Sequence, residues 1–196
     1  MEKAMRSGNP NRERKNRCRF NDWNGRMSGK DSKLIGVDFS TEMIRRAEKN
    51  KLKFKDYSIE VLKENVFENS IANETADYVI SGFGLKTFDD KQLEELAKEI
   101  NRILKPNGKF SLIDVSVPKS KILNPFYMFY LKKIIPLLGK FFLGSPETYR
   151  MLGIYTEKFG NSKNVYQIFK NFEFEVEYVE YFLGCASGIK GKKLNN

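Results

Sequence analysis

Asp38 is the residue whose position in this chain most clearly suggests a ligand site. It ends the apolar run Leu34-Ile35-Gly36-Val37, and Ser40 and a helical pattern follow at once. A carboxylate at the carboxyl end of a buried parallel strand lies in the crevice where open α/β sheets bind ligands, at a height suited to ribose hydroxyls. The alternative is local, with Asp38 opening the next helix and Ser40 capping it. The stretch predicts either a nucleoside-containing cofactor or an ordinary strand-to-helix turn.

The composition excludes several kinds of chemistry. Histidine is absent from the 196 residues, which rules out His-based catalysis and His metal ligation. Cys18 and Cys185 lack the spacing of metal ligands or of a disulfide framework, so no metal site is predicted. No stretch reaches the roughly 18 uncharged apolar residues of a transmembrane helix, and the first residues do not form a signal peptide. We expect a cytoplasmic protein, with contact to a membrane surface as a further option.

The formal charge of +10 by itself suggests a nucleic-acid or anionic-membrane partner. However, residues 1–33 hold ten Lys or Arg and four Asp or Glu, so they carry +6 of this total. The segment 1–32 has the period of neither a helix nor a strand, and we interpret it as an irregular basic N-terminal segment. Residues 33–192 are predicted to form one folded domain. We expect no nucleic-acid partner.

Strands and helices alternate from Lys33 onward. Strands are predicted at 33–38, 59–62, 77–80 and 109–115, and helices at 40–51 and 90–104, with a Lys-Pro-Asn-Gly turn after the second helix. Short connections between alternating elements indicate a mostly parallel sheet with helices on its faces. Residues 172–181 alternate apolar side chains with glutamates, which is typical of an edge strand with one wet face.

Several short motifs follow one another in a fixed order, and together they resemble a known family. They are Gly36-Val37-Asp38-Phe39-Ser40-x-x-Met43, Asn65-Val66, Asp77-Tyr78-Val79-Ile80, Gly82-Phe83-Gly84-Leu85 and Arg102-Ile103-Leu104-Lys105-Pro106-x-Gly108. In this order they resemble the class I S-adenosylmethionine-dependent methyltransferases. Lys86, Asp114-Val115-Ser116-Val117-Pro118 and Tyr149-Arg150-x-Leu152 narrow the resemblance to the ubiquinone/menaquinone biosynthesis C-methyltransferases. The resemblance runs from about Lys33 to Lys192 and implies a three-layer Rossmann-like α/β fold with an antiparallel C-terminal edge strand.

The resemblance also implies how S-adenosylmethionine is bound. Asp38 would accept hydrogen bonds from the ribose, and Phe39 and Met43 would flank the adenine in an apolar slot. Asn65 would meet the exocyclic amine, the Val66 backbone N–H a ring nitrogen, and Gly82 would line the path to the sulfonium. Asp38, Asn65 and Gly82 are therefore expected to converge on one crevice. The ordinary alternatives are core packing for Phe39 and Met43 and a turn for Asn65.

The implied reaction moves a methyl group from a sulfonium to a ring carbon of a lipophilic quinol. Charge is neutralised during this in-line displacement, so positioning and a dry site supply most of the rate. The quinol carbon becomes nucleophilic when a hydroxyl, with a phenolic pKa of about 10, loses its proton. Asp114, Tyr149 and Lys86 are the candidate catalytic bases or proton relays. The family commonly has Arg-Asn where this chain has Lys86-Thr87, so the role of a guanidinium there is open.

Residues 122–143 are aromatic and apolar but are interrupted by lysines and Pro136. Such a segment either covers a greasy substrate tail, lies on a membrane surface, or forms an ordinary lid on the sheet. A prenylated quinol explains this much aromatic surface better than a small polar substrate does. The competing functions are a methyltransferase of the same fold with another small-molecule substrate, and a basic binding protein or noncatalytic remnant.

One motif implied by the resemblance is missing. The family's central strand and its glycine-rich loop, of the type Asp-x-x-x-Gly-x-Gly, should precede the strand 33–38, but Lys15–Arg26 occupies that place. A buried central strand carrying Arg17 and Arg19 would cost several kcal/mol per unpaired charge.

A shift of reading frame offers an explanation for this segment. Codons exist for Lys15–Arg26 that, read one base later, encode Lys-Ile-Asp-Val-Asp-Leu-Thr-Thr-Gly-Thr-Gly followed by Asp or Glu. Our hypothesis is that residues from roughly 10 to 29 are a frameshifted reading of the cofactor loop. The chain as given would then bind S-adenosylmethionine poorly or not at all.

Overall fold

The structure is a computed structural model that describes residues 32–142 and 146–195, without the side chains of residues 139–150. The predicted irregular segment, apart from Ser32, lies outside the described residues. The chain divides between Ser70 and Ile71 into two compact units. The single domain predicted over 33–192 stays a prediction.

The first unit contains two parallel strands and one helix. These are β1 (Lys33–Asp38), α1 (Thr41–Lys51) and β2 (Ser58–Lys63). The strands pair in parallel with Lys33 opposite Ser58 and Asp38 opposite Lys63. Ser40 caps α1 as the sequence predicts, since its hydroxyl accepts a hydrogen bond from the Met43 N–H at 3.4 Å.

The second unit contains a four-stranded sheet in the order β3-β4-β6-β5. β3 and β4 pair in parallel, whereas β6 is antiparallel to both β4 and β5. The predicted α/β class with parallel pairs and an antiparallel C-terminal edge is therefore confirmed. The elements are β3 (Ala76–Gly82), α2 (Asp90–Ile103), β4 (Leu104–Val115), α3 (Leu123–Phe129), a π-helical segment (Tyr130–Ile134), α4 (Ile135–Phe142), α5 (Pro146–Phe159), α6 (Lys163–Lys170), β5 (Phe174–Tyr181) and β6 (Ala186–Lys193).

Two sequence predictions in this unit need correction. The predicted turn after α2 lies inside β4, where the pairing with β3 jumps from Leu104 to Lys109 and Asn107 adopts a φ of 63°. The residues between them form a bulge rather than a connection. β6 was not predicted, because its lysines and glycines show no apolar alternation. Residues 122–142 form nearly continuous helix, and no described helix is long and apolar enough to cross a membrane.

The core of the second unit joins the buried stripe of α2 to an aromatic cluster. Phe169 of α6 is fully buried and lies 5.5 Å from Phe110 and 5.8 Å from Phe174, between ring centroids. The buried apolar side chains of α2 are Leu93, Leu96, Ala97, Ile100 and Ile103, and Leu104 at the start of β4 is buried beside them in sequence. These contacts fix the helices against the sheet that carries the site residues.

Three parallel strands have only one pairing partner each within the described ranges. β1 and β2 pair only with each other, and β3 pairs with β4 alone. Parallel strands are normally buried on both faces. Nevertheless Ile35 on β1 and Tyr78 and Ile80 on β3 are 38%, 57% and 43% exposed. Each unit therefore leaves apolar side chains of a parallel edge strand uncovered.

We expect Phe169→Ala to lower the free energy of unfolding by about 3–5 kcal/mol, because it removes the ring at the centre of the aromatic cluster. Urea denaturation followed by circular dichroism measures this change. Phe39→Ala is the matched control, since Phe39 is 78% exposed, and it should change stability by less than about 0.5 kcal/mol. Equal effects of the two substitutions would contradict the core described above.

Candidate active site

Asp38 has one carboxylate oxygen engaged and one open. The side chain is partly buried at the carboxyl end of β1, and its Oδ1 accepts a hydrogen bond from the Ser40 N–H at 2.8 Å. The second oxygen has no hydrogen-bond partner within the described residues. Asp38 thus plays the local role of opening α1 and keeps one acceptor oxygen open. The two alternatives left by the sequence are compatible.

Asn65 lies at the same edge of the first sheet as Asp38. The reason is that Asp38 pairs with Lys63, and Asn65 follows Lys63 by two residues. Its Oδ1 accepts a hydrogen bond from the Phe67 N–H at 3.2 Å, which shapes the turn and leaves the Asn65 side chain exposed. Phe39 and Met43, which follow Asp38 in the chain, are 78% and 49% exposed. An acceptor, an amide and two uncovered apolar side chains are the groups that a ribose and an adenine need.

A buried ion pair joins the ends of β3 and β4 in the second unit. Asp114 is fully buried, and its Oδ1 lies 2.8 Å from Lys86 Nζ, whose side chain is 7% exposed. Oδ1 also accepts a hydrogen bond from the Val115 N–H at 2.7 Å, and Oδ2 accepts one from the Lys86 N–H at 3.0 Å. Both oxygens are therefore occupied. Three donors offset the cost of burying the carboxylate.

The same lysine holds the glycine-containing loop that follows β3. Lys86 Nζ donates to the Phe83 carbonyl oxygen at 2.9 Å and lies 5.9 Å from the centroid of the Phe83 ring. Phe83 has a φ of 69°, a conformation that is costly for a non-glycine residue. Its N–H donates to the Ile113 carbonyl oxygen at 2.8 Å. Gly82 thus ends its strand beside a loop whose shape the ion pair fixes.

Tyr127 of α3 is a residue that sequence reasoning missed. Its hydroxyl donates to the Cys185 carbonyl oxygen at 3.0 Å, and burial, chiefly, raises its pKa to about 12. The charge of Asp114 makes a smaller contribution in the same direction to that pKa. Tyr127 therefore holds its proton at neutral pH and acts as a donor. It sits in an aromatic helix, and no local pattern distinguishes it there.

The predicted site residues fall into two groups, each inside one unit. Asp38, Phe39, Met43, Asn65 and Val66 belong to the first unit, and Gly82, Lys86 and Asp114 to the second. Convergence of Asp38, Asn65 and Gly82 on one crevice stays a prediction. Tyr149 is in α5, but its side chain lies outside the described residues. The described residues hold no cluster of metal-ligating side chains.

Solved structures establish the class of fold. A structure described as a SAM dependent methyltransferase from Aquifex aeolicus matches with a TM-score of 0.57 and 20% identity, over 88% of this chain and 74% of that one. A protein from Pyrococcus horikoshii matches with a TM-score of 0.57 and 19% identity, over 88% and 76% of the two chains. The chain therefore has the Rossmann-like fold of S-adenosylmethionine-dependent methyltransferases.

Sequence comparisons identify the family. The model of the ubiE/COQ5 methyltransferase family matches residues 18–193, and the chain belongs to this family. A demethylmenaquinone methyltransferase of Alkalihalophilus pseudofirmus is 31% identical over 89% of this chain and 76% of its own length. The enzyme of the same name from Oceanobacillus iheyensis is 32% identical over 90% and 75%. The chain is therefore a member of a family of S-adenosylmethionine-dependent methyltransferases.

We expect Lys86→Met to lower the free energy of unfolding by about 3–5 kcal/mol, because it leaves the Asp114 carboxylate buried without its counter-ion. Lys105→Met is the matched control. Lys105 Nζ lies 2.9 Å from Asp77 in an exposed pair, so its loss should cost less than about 1 kcal/mol. Urea unfolding of both variants decides the question, and a small effect at Lys86 would show that the pair contributes little to the fold.

Proposed function

We propose that the protein transfers a methyl group from S-adenosylmethionine to a ring carbon of a prenylated quinol of the demethylmenaquinol type. The observation that carries the proposal is the family match over residues 18–193, together with relatives at 31–32% identity that bear the name demethylmenaquinone methyltransferase. The exposed apolar side chains of α3 support a lipophilic acceptor. They include Ile122, just before the helix, Phe126 and Phe129.

The adenosine half of the cofactor fits the first unit. The open oxygen of Asp38 would accept from the ribose hydroxyls, and the exposed Phe39 and Met43 would flank the adenine. Asn65 would bind the exocyclic amine, and the Val66 N–H, which has no acceptor within the described part of the chain, would donate to a ring nitrogen. Gly82 would line the path to the sulfonium in the second unit.

When bound, the cofactor supplies an electrophilic methyl group on a positively charged sulfur. The acceptor's ring carbon would bond to this methyl group, leaving the sulfur as a neutral thioether, and would then lose its proton. The quinol oxygen must first be deprotonated, or share its proton, for the ring carbon to attack. The protein's tasks are therefore to orient the acceptor, exclude water and accept one proton.

The occupied oxygens of Asp114 assign it a positioning role. A buried carboxylate that already accepts three hydrogen bonds has little capacity to take a proton from substrate. Lys86 is paired with this carboxylate and holds the loop after β3, so it too is a positioning residue rather than a base. Of the three candidates from the sequence, Tyr149 is then our choice for the proton relay.

The second candidate function is a remnant impaired in cofactor binding. Residues 15–26 lack the Gly-x-Gly loop, and β1 and β3 each show an edge without a partner in the described ranges. A restored strand such as Lys-Ile-Asp-Val-Asp-Leu has the β-branched, alternating pattern that pairs with an open edge. The frameshift hypothesis accounts for the composition of the segment and predicts how it can be repaired.

Contact with a membrane surface through residues 122–143 also belongs to this proposal. Ile122, Phe126 and Phe129 recur at helical spacing on one face and are 78%, 71% and 59% exposed. Lys121 immediately precedes this face, and Lys133 follows it one turn later. A helix of this kind lies in the interface of a bilayer, where a prenylated quinol resides.

We expect a repaired chain, with residues 15–26 replaced by Lys-Ile-Asp-Val-Asp-Leu-Thr-Thr-Gly-Thr-Gly-Asp, to bind S-adenosylmethionine and methylate a demethylnaphthoquinol with a short prenyl tail. The unmodified chain should bind at least about tenfold more weakly, because the sequence of its residues 15–26 contains no Gly-x-Gly to approach the methionine part. Calorimetry and transfer of labelled methyl measure both properties. Sequencing the coding DNA is the direct check. A shifted frame without a Gly-x-Gly codon pattern refutes the frameshift.

Asp38→Ala is made in the unmodified or the repaired chain, depending on which of them binds S-adenosylmethionine. The substitution should weaken that binding by about 1.5–3 kcal/mol, the range for a hydrogen bond to a charged group. Asp56→Ala is the control, since Asp56 lies in the same unit outside the strand end. Calorimetric titration gives the dissociation constants. An unchanged constant for Asp38→Ala removes this carboxylate from the cofactor site, whatever the chain's activity.

A further inference from the structure

The turn between β5 and β6 presents large apolar side chains to solvent in a conformation that such residues rarely adopt. Phe182, Leu183 and Gly184 have φ values of 50°, 58° and 88°, in the left-handed region that favours glycine. Phe182 is 58% exposed and Leu183 is 84% exposed, the highest exposure among the large apolar side chains of the described residues. Both strain and exposure disfavour these residues in an isolated protein.

The turn is rigidly attached to the sheet. The Ser116 hydroxyl donates to the Gly184 carbonyl oxygen at 2.7 Å, and the Ser116 N–H donates to the Cys185 carbonyl oxygen at 3.0 Å. The Cys185 N–H closes the turn on the Phe182 carbonyl oxygen at 3.1 Å. A side chain on Gly184 would lie a tight 3.3 Å from Pro118 Cα, and the φ of 88° also favours glycine. The fold therefore holds Phe182 and Leu183 outward.

The same turn is tied to the apolar helix α3. The Tyr127 hydroxyl reaches the Cys185 carbonyl oxygen, next to the turn, while Phe126 of the same helix is exposed. The chain then runs from Pro118, against Gly184, through Lys119 and Lys121 to Ile122. The exposed turn and the apolar helix α3 are thus joined by a short segment that carries Lys119 and Lys121.

The charge beside the exposed turn and α3 indicates what binds to this surface. Lys119 pairs with Glu180 at 2.6 Å, whereas Lys121 is exposed and has no acidic partner within the described residues. Exposed aromatic and aliphatic side chains beside lysines match the interface of a bilayer with anionic headgroups. We propose that Phe182 and Leu183 form a lipid-inserting tip that docks the protein on anionic membranes. This inference rests on the proposed function, which requires access to a membrane-held quinol.

Leu183→Asn tests the tip and should not lower the stability of the fold. The reason is that asparagine adopts the left-handed conformation more readily than leucine does. The full chain is mixed with vesicles of phosphatidylcholine alone, or with about a third of phosphatidylglycerol, and bound protein is measured by sedimentation. We expect Leu183→Asn to lower partitioning into the anionic vesicles at least about tenfold while its Tm stays equal or rises. Phe126→Ser should weaken partitioning in the same direction.

Leu52→Asn is the matched control, since Leu52 is 68% exposed in the other unit, and it should leave partitioning unchanged. Equal partitioning of Leu183→Asn and the unmodified chain, or no vesicle binding by the unmodified chain, overturns the proposal. A change of oligomeric state in Leu183→Asn with vesicle binding intact overturns it as well, in favour of a contact between copies. If no chain transfers methyl but binding still depends on Leu183, the proposed function fails and the docking surface stands.

Discussion

The buried ion pair between Asp114 and Lys86 organises the functional end of the second unit. A carboxylate removed from water is tolerated only when its charge is matched and its oxygens are hydrogen-bonded, and here Lys86 supplies both its ammonium and its N–H. The geometry ties the end of β4 to the loop after β3. The left-handed Phe83 is held in place by the same ammonium. Loop shape, ring orientation and local charge thus depend on one interaction.

Lysine rather than arginine at this position has a physical consequence. The ammonium is a compact point charge, and it reaches the Phe83 carbonyl oxygen and Asp114 Oδ1 at 2.9 and 2.8 Å. A guanidinium would direct further donors in a fixed planar fork. The charge of Lys86 is directed chiefly at groups inside the protein. In the proposed function, apolar surface rather than a bidentate clamp would then orient the acceptor.

How much the sequence predicts depends on whether the determining contacts are local. Patterns within a dozen residues predict β1, α1 with its Ser40 cap, and α2. These elements appear as predicted. β6 could not be predicted that way. Its Gly188 and Gly191 are required because a side chain there would meet the carbonyl oxygens of Leu112 and Glu175 on the neighbouring strands.

In the candidate site, too, local patterns predict some features and long-range contacts determine the others. Asp38 and Asn65 share a sheet edge because parallel strands align their carboxyl ends, which the alternation of elements predicts. Lys86 and Asp114 were both named from the sequence, but their pairing across 28 residues was not foreseen. Tyr127 reaches Cys185 across 58 residues, and only the packing of α3 reveals it. Individual site residues are readable from local motifs, whereas their roles depend on contacts that the fold creates.

The two kinds of exposed apolar side chain in this molecule require different explanations. Ile35, Tyr78 and Ile80 lie on parallel strands, whose composition suits complete burial, and each of these strands lacks a second partner within the described ranges. Their exposure is what a missing strand would leave. Leu183 and Phe126 instead lie on a turn and a helix outside the sheet strands. A restored strand should therefore bury Ile35, Tyr78 and Ile80 and leave Leu183 and Phe126 exposed. This outcome would distinguish an incomplete sheet from a surface that docks on a membrane.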